Sequence, residues 1–273
     1  MQSKGLDRLD AQMLLLHALG QSTNDRAWLM SHDTDEPTPD QQQTLDDLIQ
    51  RRLKGEPVAY IVGSKEFFGL NLKVTPDVLV PRSDTEVLVE WALDVIPHVQ
   101  APTVIDLGTG SGAIGLAIKH ACPHAKVTLI DASQDALAVA CGNADSLGLT
   151  VHGLRSDWLQ SAPVDQLFDI IVSNPPYIAE GDAHLAALVH EPLMALTSGP
   201  DGLTALRRIA LDAPSYLKHG GWLLLEHGYD QAEAVRALLL AQGFEQVTSR
   251  LDLNGIARCT GGMLNCPYNT DHP

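Results

Sequence analysis

The chain has 273 residues, enough for one large domain or two modest ones with a core that needs no covalent staples. Hydrophobic residues make up 45% and charged residues 19%, an ordinary balance for a globular protein, and no apolar run approaches the length of a bilayer span. The net charge of -16, from 18 Lys and Arg against 34 Asp and Glu, disfavours nucleic acid as a partner, because such binding draws its affinity from neutralised phosphates.

The first residues, Met1 to Arg8, lack the apolar core of a signal peptide. Cys122, Cys141, Cys259 and Cys266 show no paired spacing and read as reduced thiols of a cytoplasmic protein. The 11 histidines include no HExxH or paired-ligand spacing, so no metal site is expected.

Residues 1–57 read as a helical domain suited to docking a partner. Leu6, Leu9, Met13 and Leu16 recur at three- and four-residue steps, which predicts one face of an amphipathic helix ending near Gly20. Thr38-Pro39-Asp40-Gln41 predicts a second helix start. Thr38 can cap, Pro39 suits the first helical position and Gln41 can reach back as in a capping box. Residues 58–75 change character: Val58–Val62 and Leu70–Val74 are strand-like, with turn chemistry at Gly63-Ser64 and Gly69, which predicts a β-hairpin linker.

From 76 to 262 strands and helices alternate, the pattern of a parallel sheet covered on both faces. Strands are expected at Thr103–Leu107, Lys126–Asp131, Val151–Leu154, Phe168–Ser173 and Gly221–Glu226, with two more near Phe244–Leu251 and Ile256–Cys259. Helices are expected at Ala113–His120, from Ser133 through Leu147, at Leu203–Leu217 and at Gln231–Gln242. Residues 263–273 show no periodicity and read as a loose tail.

Gly108-Thr109-Gly110-Ser111-Gly112 follows the first of these strands and opens a helix, so the backbone can turn tightly and approach a ligand. Gly110 to Gly115 also fits GxGxxG, and Asp131 ends the next strand, where a carboxylate can accept from ribose hydroxyls. NAD and S-adenosylmethionine both fit at this point. Two features decide between them. Asp157-Trp158 follows the third strand, where an aromatic ring can stack on adenine and an acid can accept from its amino group. Asn174-Pro175-Pro176-Tyr177 cuts off the fourth strand, which neighbours the first in this type of sheet.

Two consecutive prolines cannot continue a strand, since they donate no backbone hydrogen bonds. Asn174 and Pro175 each precede a proline and are confined to extended conformations. The Asn174 side-chain oxygen and the Pro175 carbonyl are therefore preorganised acceptors for a planar NH2 group, and Tyr177 can pack on its face. An amide or aromatic NH2 is a poor nucleophile because its lone pair is delocalised. Acceptors that favour a pyramidal nitrogen correct this. Hydride transfer has no use for such a turn, whereas methyl transfer to nitrogen does, and it requires neither a metal nor a covalent intermediate.

The sequence resembles the class I S-adenosylmethionine-dependent methyltransferases that modify a protein glutamine, and within them the bacterial peptide chain release factor N5-glutamine methyltransferases. Besides Asn174 to Tyr177, the resemblance is carried by Gly55–Ile61, Glu66–Leu70, Val80–Glu86 and Leu225-Glu226-His227-Gly228, and it spans Leu6 to Arg258. It implies an α/β, Rossmann-like class I methyltransferase sheet with a small N-terminal helical domain joined by a β-hairpin. It also implies that Gly108, Thr109, Gly110, Ser111 and Gly112 hold the methionine part of S-adenosylmethionine, Asp131 its ribose and Trp158 its adenine. Asn174, Pro175, Pro176 and Tyr177 would hold the substrate, with Asn174 also near the cofactor, and S-adenosylhomocysteine would be released. The implied substrate is the glutamine of the Gly-Gly-Gln loop of class 1 release factors. Ser83 stands where release-factor enzymes carry proline and is shared with sister enzymes that act on a large-subunit ribosomal protein, while Asp84-Thr85-Glu86 favours the release-factor group. Two alternatives remain: a DNA or RNA amino-methyltransferase, opposed by the acidic charge, and a non-catalytic cofactor- or partner-binding protein, opposed by an intact glycine loop beside an intact Asn-Pro-Pro-Tyr.

Overall fold

The computed structural model describes residues 5–163 and 165–265. Its N-terminal part packs α1 (Arg8–Ala18), α2 (Arg26–Ser31) and α3 (Pro39–Leu53) together. The capping box forms as expected: Thr38 Oγ1 accepts from the Gln41 N–H at 3.3 Å, and Gln41 Oε1 accepts from the Thr38 N–H at 2.9 Å. The expected face of α1 is largely buried: Leu16 is fully buried, and Leu6 and Met13 pack against a core that Leu14 forms with Leu45, Leu48 and Ile49 of α3, while Leu9 is 44% exposed.

Val58–Val62 is a helix, α4, and not the expected strand. Its apolar residues have no ladder to join. They are buried on two sides instead, Val58 and Ile61 in the core of the N-terminal helices and Ala59 and Tyr60 in a second cluster with Val74, Val78 and Val80. Gly63, at φ 76, ends the helix in the left-handed conformation. The hairpin follows directly: β1 (Ser64–Phe67) and β2 (Leu70–Lys73) pair antiparallel. The predicted hairpin therefore exists, with its first strand at Ser64–Phe67 in place of Val58–Val62.

Helix α5 (Glu86–Val95) leads into a seven-stranded sheet. In chain order its elements are β3 (Thr103–Leu107), α6 (Ala113–Ala121), β4 (Lys126–Asp131), α7 (Gln134–Ser146), β5 (His152–Arg155), β6 (Phe168–Ser173), α8 (Thr204–Asp212), β7 (Leu217–Glu226), α9 (Ala232–Ala241), β8 (Phe244–Leu251) and β9 (Ala257–Leu264). The strand order is β5-β4-β3-β6-β7-β9-β8. The sheet is mixed, not purely parallel, because β9 runs antiparallel to both β7 and β8. Two other boundaries move: Leu217 begins β7 and does not end a helix, and β9 continues past Gly262 to Leu264. Residues 266–273 of the expected tail lie outside the described residues.

The period-two alternation of the strands divides the core. Val104, Val127, Ile170 and Leu224 face α5, α6 and α7, while Ile105, Ile171, Leu223 and Leu225 face α8 and α9. Among the described residues no helix is long and apolar enough to cross a membrane.

Candidate active site

The carboxyl ends of β3, β4, β5 and β6 open into one cavity of about 560 Å³, where the strand order reverses. Gly108, Thr109, Gly110, Ser111, Asp131, Trp158, Asn174 and Pro176 all line it. The sequence-predicted residues thus converge, with three exceptions. Gly112 lies behind the loop, the Pro175 residue is buried, and Tyr177 opens onto a second cavity of about 400 Å³ beside Glu226 and Arg258.

The loop after β3 is shaped by glycines at positive φ: 68 at Gly108, 54 at Gly110 and 86 at Gly112. Gly115 serves packing instead, since a Cβ there would lie 2.3 Å from Leu129 Cδ2. That contact brings α6 tight against β4. Asp106, at the end of β3 and fully buried, holds the loop from below. Its Oδ2 accepts from Thr109 Oγ1 at 2.6 Å and from the Gly115 N–H at 3.0 Å, while Oδ1 has no partner. Burial pushes this carboxyl up to about 6, against the pull of those two donors.

Asp131 is tied on both oxygens. Oδ2 accepts from the Gly110 N–H and Oδ1 from the Ser133 N–H, each at 2.9 Å. Burial raises its proton affinity, and these N–H donors oppose the shift. Trp158 is held at φ 51, an uncommon conformation for a large residue. Its ring rests on the loop: a Cβ at Gly108 would come within 3.4 Å of Trp158 Cζ3. Buried Asn143 binds the loop to the hairpin, donating to Ser111 O at 2.8 Å and Lys73 O at 3.0 Å and accepting from the Lys73 N–H at 2.8 Å.

At the Asn-Pro-Pro-Tyr turn, Ser173 Oγ donates to Leu107 O at 2.7 Å and locks β6 to β3. Asn174 Nδ2 donates to Thr85 Oγ1 at 3.2 Å, which spends the amide's donor side on the protein and leaves Oδ1 as an acceptor. The far end is fixed by Gln231 Nε2, which donates to Tyr177 O at 3.0 Å, and by the Ile178 N–H, which donates to Leu196 O at 2.9 Å. The facing wall, Val78 to Arg82, is held from two directions. Tyr60 Oη donates to Val78 O at 2.5 Å, while Glu191 accepts from the Val80 N–H at 3.2 Å and pairs with Arg82.

Beneath the turn lies Glu226, the last residue of β7, 2% exposed and with Oε2 unpartnered. Burial raises its carboxyl to about 7; Thr85, Arg258 and Asn174 favour the charged form and Asp84 opposes it. His227 next to it is a buried structural residue, bonded to Gly228 O at 2.8 Å and Thr260 Oγ1 at 2.7 Å.

Residues 2–63 match the family model described as the PrmC N-terminal domain, and residues 84–201 match that of the methyltransferase small domain. The release factor glutamine methyltransferase of Bordetella pertussis is 53% identical over 262 residues, covering 95% of this chain and 96% of that protein. The chain belongs to the release factor glutamine methyltransferase family. The family's protein from Coxiella burnetii is 48% identical over 252 residues, covering 92% and 90% of the two chains. A methyltransferase from Pyrococcus furiosus shares the fold, with a TM-score of 0.54 at 17% identity, covering 81% of this chain and all (100%) of that one.

The class I methyltransferase fold implies binding of S-adenosylmethionine, and the residues present fit that group. The cavity is floored by side-chain-free backbone at the loop, and a partly buried carboxylate stands at the end of the second strand. Sequence reasoning missed four residues that build this site: Thr85, Asp106, Asn143 and Glu226. Asp106 and Asn143 lie outside every motif singled out, while Thr85 and Glu226 fall within segments that carry the resemblance but were given no role there. The signal that could have found Asp106 and Glu226 is an acid embedded in a strand expected to be buried on both faces.

Proposed function

We propose that the protein methylates the side-chain nitrogen of the glutamine in the Gly-Gly-Gln loop of class 1 peptide chain release factors, in the cytoplasm, with S-adenosylmethionine as donor. When bound, that cofactor supplies a methyl group on a sulfonium, electrophilic enough for direct attack by nitrogen. Gly108 to Ser111 would hold its methionine part, Asp131 the ribose and Trp158 the adenine.

The observation that carries the reading is the fixed Asn174 amide. Its nitrogen is committed to Thr85, so Oδ1 stands ready to accept from one N–H of a substrate amide. The Pro175 carbonyl is the second acceptor. Together they orient the substrate nitrogen's lone pair and exclude the planar, unreactive geometry, a gain that comes from preorganisation. Two glycines before the glutamine suit a narrow approach, since a chain without side chains can enter it.

The N-terminal helices would dock the release factor. Near the cavity, Val189, Leu193 and Met194 are 73%, 62% and 61% exposed, an apolar lip suited to a protein partner. The test is radiolabelled methyl transfer to purified release factor, large-subunit ribosomal protein and oligonucleotide in parallel. Label in the release factor alone supports the reading. Label in either of the others overturns it.

A further inference from the structure

Thr85 links Asn174 to Glu226, and Asn174 also acts on Glu226 directly. Its hydroxyl is buried and accepts from Asn174 Nδ2 at 3.2 Å. A hydroxyl has one proton to place, and with its oxygen receiving from Asn174, that proton needs a separate acceptor. The Glu226 carboxyl is the buried acidic group beside it. We propose that ionised Glu226 is a positioning residue that, by accepting from the Thr85 hydroxyl, locks Asn174 with its side-chain oxygen toward the substrate amide. This rests on the glutamine-methylating reading above and assigns to it a determinant beyond the Asn-Pro-Pro-Tyr turn.

The direction of the relay is set by charge. A carboxylate can only accept, so the donors run one way, from the Asn174 amide to Thr85 and toward Glu226, and from Thr85 to Glu226. A protonated carboxyl can donate into Thr85, whose hydroxyl is then free to turn its proton onto Asn174 Oδ1. The amide that satisfies this arrangement is rotated and presents NH2 to the substrate's own NH2. Donor would face donor, and the substrate nitrogen would lose an acceptor it needs.

The groups that face Glu226 are Asp84 and Arg258, the Tyr177 hydroxyl, and the Cys259 thiol opposite it on β9, with Lys65 and Arg82 across the second cavity. Burial is the largest influence on its proton affinity and holds it up to about 7, so the switch falls within an accessible pH range.

The experiment is methyl transfer to purified release factor from about pH 6 to about pH 9, with kcat and KM separated. The wild-type kcat should rise with pH through a step near 7, with KM for the release factor falling alongside it, while the cofactor dissociation constant shows no such step. Glu226→Gln should lower kcat at the alkaline end by about tenfold and abolish the step, with cofactor affinity unchanged. Thr85→Val should do the same, the double variant should be no worse than either single one, and Thr85→Ser should regain the step. This second pair keeps the proposal testable if Glu226→Gln fails to fold. A Glu226→Gln or Thr85→Val enzyme that keeps the wild-type step and kcat overturns the proposal. An Asn174→Ala enzyme with wild-type turnover overturns instead the substrate reading on which it rests.

Discussion

Asp131 serves two purposes with one carboxylate. It shapes the glycine loop through the Gly110 and Ser133 N–H groups and keeps lone pairs available for hydroxyl donors. Asp131→Asn should therefore weaken S-adenosylmethionine binding by about ten- to a hundredfold, the size of a lost charge-assisted hydrogen bond. An unchanged dissociation constant by calorimetry would contradict the ribose assignment. Gly115→Ala places a methyl group against Leu129 and should destabilise the fold by about 1–3 kcal/mol in urea unfolding. Glu226 has a stability signature of its own. Its folded proton affinity, about 7, lies above the ordinary 4.5, so its contribution is fully present below the unfolded value and is lost as pH rises through about 7. The stability of Glu226→Gln relative to wild type should accordingly increase from about pH 5 to about pH 8, by up to about 3 kcal/mol. A difference that is flat with pH would show that the carboxyl titrates normally. Residues of this kind divide by legibility. Gly108, Gly110 and Asn174 are marked in the sequence by the unusual backbone they require or impose. Asp106 is not, and Glu226 is marked only as part of a resembling segment, because the role of each arises from burial inside the folded sheet.

At the scale of elements, α4 is the instructive case. A run of Val, Ala, Tyr, Ile and Val has the composition of a strand, and periodicity cannot separate a short buried strand from a short buried helix. What decides is tertiary: the segment lies between two apolar clusters and must bury both of its sides. The central strands β3, β4 and β6 were legible because their apolar runs end abruptly in a glycine loop, an Asp-Ala-Ser turn and two prolines. The antiparallel placement of β9 was not, because direction within a sheet depends on how the chain returns and leaves little local trace. Helix α4 also reaches the active site, through the Tyr60 hydroxyl on Val78 O. Tyr60→Phe should cost about 1–3 kcal/mol of stability, since a carbonyl is left without its donor, and should also lower turnover by loosening the cavity wall. Loss of stability with turnover untouched would confine Tyr60 to a structural role.

For the whole molecule, the cavity lies at the reversal of the sheet, one wall held by α4 and the mouth edged by exposed apolar side chains. Leu193 belongs to that edge without lining the cavity, so Leu193→Asp should raise KM for the release factor by about tenfold or more and leave the cofactor dissociation constant unchanged, as expected for a lost Leu contact. Equal effects on both would mean that the substitution disturbs the cavity itself. The most direct measurement is mass spectrometry of release factor incubated with the protein and S-adenosylmethionine. One methyl group is expected on the side-chain nitrogen of the Gly-Gly-Gln glutamine, and none when Asn174→Ala replaces the wild type. An unmodified glutamine, or the same modification made by Asn174→Ala at the wild-type rate, would contradict this reading.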